Sequence, residues 1–161
     1  MKYLLIEIVI GVVLFTLIAI PLALKDPLGS IGDYPPAIRK KCVELGLIEE
    51  RERRFSSSEL LRKGAAMIVL TAVFAYILKR FNGADTFMKG FLDSYVIWLV
   101  ITWFDALVID CLWFCHSKKV RIPGTEDMKE YQDYLFHIRQ SLIGTLLGIP
   151  VCALVGLMVM I

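Results

Sequence analysis

Cysteine and histidine are scarce. Four cysteines and two histidines in 161 residues form neither a CxxC pair nor an HExxH, so thiol redox chemistry and a zincin-type metal centre have no support in the sequence. Cys42 falls in a charged segment, Cys111 and Cys115 stand one helical turn apart, and Cys152 lies inside an apolar run. These read as small buried hydrophobes and not as a disulfide framework. Charge is thin as well, at 21% of residues against 57% hydrophobic, with a mean hydropathy of +0.65. That balance excludes an ordinary soluble domain of this size. The basic residues are diluted by Asp and Glu in the same segments, so no nucleic-acid partner is expected.

What the chain does have is four apolar runs, at about residues 3–24, 64–81, 91–115 and 141–161, set against the roughly 20 residues that cross hydrocarbon. The reading is all-α: one integral membrane domain, a four-transmembrane-helix bundle with the lipid bilayer as its main partner. Of the 18 Lys and Arg, only Lys2, Lys79, Arg80 and Lys89 lie outside the segments 25–63 and 116–140. The positive-inside rule therefore makes both segments cytoplasmic connections, puts both termini outside, and assigns the protein to the cell (inner) membrane as a multi-pass protein. A cleaved signal peptide is the alternative for the first run. Its length, Glu7 within it and the lack of a small-x-small pattern after Pro21 argue against cleavage.

Pro35-Pro36 opens a short helix that Gly46 closes. Its Ile38, Cys42 and Leu45 share a face, which either lies on the anionic inner leaflet or packs on the protein. Ser56-Ser57-Ser58-Glu59 supplies a capping box, with Phe55 and Leu60 as a staple, so the second span starts near Ser57. Asn82-Gly83 marks a short turn between spans two and three. Thr125-Glu126-Asp127 reads as a helix start, giving one long helix from about Glu126 to the C-terminus with a kink at Pro150. In its apolar half Gly144, Gly148, Cys152 and Gly156 form a smooth stripe. Such a stripe serves close packing within the chain or a homo-oligomer contact.

Ionisable residues within spans cost roughly 2.5–3.5 kcal/mol at mid-helix, so each asks for a reason. Asp93 belongs to the outer interface. Asp105 and His116 fall about 20° apart around an α-helix but about 16 Å along it, and Asp110 points elsewhere. Glu126, Glu130, Asp133 and His137 follow a four, three, four spacing that keeps them on one face of a helix, a like-charged stripe that wants a cation. A divalent cation would satisfy it, as would Arg51, Arg53 and Arg54. The blander reading is a solvated helix face. His116 and His137 flank one cytoplasmic turn, so both imidazoles are placed to meet over Asp110.

The segment Trp103-Phe104-Asp105-Ala106-Leu107-Val108-Ile109-Asp110, followed by Arg121-Ile122-Pro123-Gly124-Thr125-Glu126 and Tyr131-Gln132-Asp133-Tyr134-Leu135-Phe136-His137, resembles uncharacterised small multi-pass bacterial membrane proteins. The resemblance covers about a quarter of the chain. It implies a four-helix membrane protein of bacterial type and brings no activity.

Three functions follow from these residues. The first is a cytoplasmic-face site that binds a cation or an anionic lipid head group. Its catalytic candidates are Asp110, His116 and His137, where a carboxylate or imidazole would act as general base on a lipid-linked substrate; Asp105, Glu126, Glu130 and Asp133 are its binding candidates. The second is a homo-oligomeric transporter or channel, assembled through Gly144, Gly148, Cys152 and Gly156, with Asp105 lining the path. The third is a non-catalytic adaptor that docks a soluble partner on residues 25–63.

Overall fold

The computed structural model describes residues 3–49 and 57–161, and the side chains of all of these except 57–60 and 63. Every regular element among them is helical. The main helices are α1 (Leu4–Lys25), α2 (Pro36–Glu44), α3 (Ser57–Asn82), α4 (Phe87–Phe104) and α5 (Tyr134–Met158), and α4 continues directly as a π-helix over Asp105–Phe114. Among the described residues four stretches are long and apolar enough to cross a membrane: α1, the apolar part of α3, α4 with its π extension, and α5. α1 has no buried residue, and Leu5, Leu17 and Ile18 are each about two-thirds exposed. A continuous apolar surface of that kind is untenable in water and ordinary in lipid. The chain is a multi-pass membrane protein by this physical criterion.

Contacts divide the chain into two compact units. The first comprises Met1–Gly11, Glu52–Ile101 and Ile143–Ile161. Its core is Ala75, Leu78, Ala84, Ile97, Val155 and Val159, with Leu4, Ile8, Phe74, Ile101 and Met158 packed around it. Small residues set how closely its helices approach. A Cβ on Gly148 would lie 2.4 Å from the Trp98 ring, and one on Gly156 would lie 2.8 Å from the Phe87 carbonyl. Trp98 Nε1 donates to the Gly144 carbonyl at 3.0 Å, and Tyr95 Oη to that of Thr145 at 3.3 Å. The stripe of small residues on α5 is thus occupied by α4 of the same chain, with Gly148, Cys152 and Gly156 buried there. Asp93 pairs with Lys89 at 2.9 Å, so that carboxylate is spent structurally. Gly83, at φ +62°, turns the chain out of α3, and the Ala84 amide bonds back to the Leu78 carbonyl.

The second unit comprises Val12–Arg51 and Thr102–Leu142. It is built on aromatic rings. Tyr34, fully buried, sits edge-on to Phe114 and Tyr131 at centroid distances of 4.9 and 5.9 Å, and its hydroxyl donates to the Val120 carbonyl at 2.8 Å. Ile38, Cys42, Val120 and Ile122 complete the cluster. α2 begins at Pro36 and is followed by Gly46 at φ +69°, as its sequence signals predict. Its Ile38–Cys42 face packs into this core, so that face is taken by the protein and is not free to lie on a leaflet.

One expected element is corrected. The last helix starts at Tyr134 and not near Glu126; residues 126–133 form turns and a single 3-10 turn at Lys129–Gln132. The cause is Tyr131. Its buried hydroxyl accepts from the Ile122 amide at 2.9 Å and bonds Thr125 Oγ1 at 2.7 Å, while Thr125 also donates to the Ile122 carbonyl. Thr125 is thereby committed to the core and does not cap a helix. Asp133 does so eight residues later, its Oδ1 accepting from the Phe136 amide at 2.9 Å. Pro150 sits within an unbroken α5. α3 starts at Ser57 as expected, whereas Ser56, Phe55 and the charged run with Arg51, Arg53 and Arg54 lie outside the described residues, as do the side chains of Ser58, Glu59 and Leu60.

Candidate polar site

The polar residues of interest belong to the second unit, and the π-helix determines which of them meet. On an α-helix Asp105 and Asp110, five apart, would point about 140° from each other. Bonding from i to i+5 adds a residue to the turn, as in the 2.9 Å bond from the Cys115 amide to the Asp110 carbonyl. This rotates the two carboxylates towards a common side. Asp105 lies close enough to Asp110, Asp33 and His137 to feel their charges. The α-helical phase that aligned Asp105 with His116 does not apply to this segment.

The centre of the group is a carboxylate–imidazole dyad. His137 Nδ1 stands 3.1 Å from Asp110 Oδ2. The ring is 2% exposed and is held edge-on by Phe114 at 5.5 Å and Phe136 at 5.2 Å. An Nδ1–H donating to a carboxylate fixes both the tautomer and the ring orientation. His137 Nε2 is buried and has no hydrogen-bond partner. A buried polar atom left unpaired costs about 1–3 kcal/mol, so this nitrogen is the most conspicuous open valence in the unit. When the ring is neutral it carries a lone pair there, directed by Asp110 from behind.

The expected convergence of two imidazoles does not occur. His116 is exposed; its Nδ1 lies 3.2 and 3.1 Å from the Cys111 and Leu112 carbonyls, and its Nε2 lies 3.2 Å from Tyr134 Oη. It closes the end of the π-helix. The acidic stripe is dispersed too, because it presupposed a helix from Glu126. Glu126 accepts from the Gly124 amide at 2.8 Å, Asp133 caps α5, and Glu130 is exposed on its short turn. Among the described residues no three His, Cys, Asp or Glu side chains converge to hold a metal.

Two arginines that motif reasoning passed over stand out. Arg121 lies over the Tyr131 ring at 3.8 Å and its Nη2 donates to the Cys115 carbonyl at 2.7 Å, while its Nη1 is buried and unpaired. Arg39 Nε, on α2, is likewise buried without a partner. Arg39 could have been suspected from its place beside the buried Ile38. Arg121 had no signal, since its burial depends on where Tyr131 folds back. Burial holds the Tyr34 hydroxyl above its ordinary pKa of 10.0, with Tyr131, Asp33 and Cys42 adding to the effect and Arg121 opposing it. The Cys42 thiol is also pushed up by burial, as suits a core cysteine and not a reactive one. No protein-family model, curated protein or solved structure matches this chain.

Proposed function

We propose that the protein is a multi-pass inner-membrane protein that binds a phospholipid head group at its cytoplasmic face, through the Asp110–His137 dyad together with Arg39 and Arg121. The carrying observation is the buried, unpartnered Nε2 of His137 behind an anchored Nδ1. Among the described residues of this unit the unsatisfied buried side-chain atoms are nitrogens: Arg39 Nε, Arg121 Nη1 and His137 Nε2. The two guanidinium nitrogens are donors suited to phosphate oxygens. Nε2, on a ring whose Nδ1 faces Asp110, suits a hydroxyl or ammonium proton instead. A head group with a phosphate and a neighbouring hydroxyl or ammonium offers both. The lopsided Lys and Arg distribution supports placing this unit at the cytoplasmic side. Metal binding, the other use expected of this cluster, has lost its helix-face ligand set.

The test is lipid retention by native mass spectrometry of the purified full chain, offered phosphatidylethanolamine, phosphatidylglycerol and phosphatidylcholine. Phosphatidylcholine has the phosphate but no donor hydrogen on its head group. Preferential retention of the first two, with roughly five- to tenfold weaker retention in His137→Asn and in Arg121→Met, is expected from losing about one buried hydrogen bond. Equal retention of all three by wild type and both variants would remove the proposal.

A further inference from the structure

Among the described residues of the first unit the unsatisfied buried side-chain atoms are oxygens, and they sit on two residues already bound to each other. Asn82 Nδ2 donates to Glu7 Oε2 at 2.6 Å. That bond fixes the amide orientation, because turning the amide over would set its oxygen against the carboxylate. The second oxygen of each group, Glu7 Oε1 and Asn82 Oδ1, is buried and has no hydrogen-bond partner. Glu7 is in the first turn of α1 and Asn82 is the last residue of α3. The surroundings hold the two ends in place: Leu4 and Ile8, which flank Glu7, pack on the Ala75–Leu78 core, and the Tyr3 ring meets Phe81 edge-on at 6.3 Å. Lys79 and Arg80, in the last turn of α3, form no ion pair with Glu7, and the ion pairs among the described residues are Lys41–Glu44, Lys89–Asp93 and His137–Asp110. Among the described residues the Glu7 charge therefore has one neutral amide donor and no cation.

We infer that Glu7 and Asn82 form a binding site for one alkali cation at the end of α1 and α3. The donor set decides the class of ion. Carboxylate and amide oxygens are hard ligands that select hard cations over the metals that prefer imidazole or thiolate. A single carboxylate balances one positive charge and provides too little charge for a dedicated divalent site, which gathers several carboxylates. Two fixed oxygens on different helices make the ion a tie between α1 and α3, with water filling the rest of its shell. Water alone would satisfy the two acceptors but would leave the carboxylate charge uncompensated in an apolar setting.

The site is tested on the full chain in detergent by equilibrium binding of 22Na+ and by thermal unfolding in NaCl, KCl and choline chloride at constant ionic strength. Saturable binding of one Na+ per chain is expected. Na+ or K+ should raise the unfolding temperature where choline does not, and affinity should fall at least tenfold in Glu7→Gln, which keeps the bond to the Asn82 amide. Binding unchanged in Glu7→Gln would overturn the assignment. So would an equal response to all three salts, or stabilisation that follows pH alone and so marks a shared proton. Should Glu7→Gln not yield folded protein, Asn82→Ala carries the same comparison, with the same loss expected and unchanged binding again contrary.

Discussion

The two nitrogens of His137 have different tasks, and substitution can separate them. Asparagine places an amide N–H near the position of Nδ1, so His137→Asn retains a donor for Asp110 and deletes the atom at Nε2. It should fold, with stability within about 1 kcal/mol of wild type, while head-group retention falls. Asp110→Leu takes away the acceptor and leaves a buried Nδ1–H unpaired, which should cost about 1–3 kcal/mol in thermal unfolding. Tyr34 gives a pH dependence of defined sign. Its pKa is raised in the folded state by burial first, so its contribution to stability is fully present below about pH 10 and is lost above it, as the unfolded chain gives up a proton that the folded chain keeps. Stability measured from pH 8 to 11 should fall above 10, and Tyr34→Phe should flatten that fall while losing about 1 kcal/mol with the bond to the Val120 carbonyl. At this scale the sequence singled out Asp105 and Asp110 because charge is expensive in an apolar run, and His137 by its place on an acidic helix face and opposite His116, neither of which the structure retains. It gave no sign of the buried Arg121 nitrogen, since nothing in its neighbours' periodicity reports a ring folding over a guanidinium, whereas Arg39 stands beside the buried Ile38.

Elements were legible where one local signal decided them. Pro36 and Gly46 bound α2, Gly83 ends the turn after α3, and unbroken apolar runs give the four long helices. They were misread where a distant partner decided. Thr125-Glu126-Asp127 has the composition of a helix start, but the hydroxyl of Thr125 is claimed by Tyr131 and Ile122, which moves the start to Asp133. Asp133→Ala should therefore cost about 1 kcal/mol, read by thermal unfolding; Glu126→Ala, at the position first taken for the helix start, should leave α5 intact. The π segment was equally invisible, since Asp105–Phe114 carries no composition that distinguishes i+5 from i+4 bonding. The small residues of α5 make a further prediction. Gly148→Ala drives a methyl into the Trp98 ring and should destabilise by about 1–3 kcal/mol, whereas Gly64→Ala, with nothing within 4 Å of its added Cβ, should cost nothing. Equal losses would mean that the α4–α5 contact does not depend on close approach.

For the molecule as a whole, apolar length and exposed apolar surface together establish four membrane-crossing candidates, and the charge distribution carries the proposed orientation. Single-cysteine variants in a background without the four native cysteines check it. Cysteines placed at Ser30 and Lys118 should react with a membrane-impermeant maleimide only after the cells are opened, and one at Gly83 should react in intact cells. The reverse pattern would put the dyad on the other face and remove its access to the inner leaflet. The central claim concerns one atom, and 15N NMR of histidine-labelled protein in lipid nanodiscs reads it, with the His137 signal assigned by its absence in His137→Asn. On changing the lipid from phosphatidylcholine to phosphatidylethanolamine, the Nε2 resonance of His137 should move towards that of a hydrogen-bonded acceptor while Nδ1 stays fixed against Asp110. An unmoved His137 Nε2, with the change confined to His116, would contradict the account.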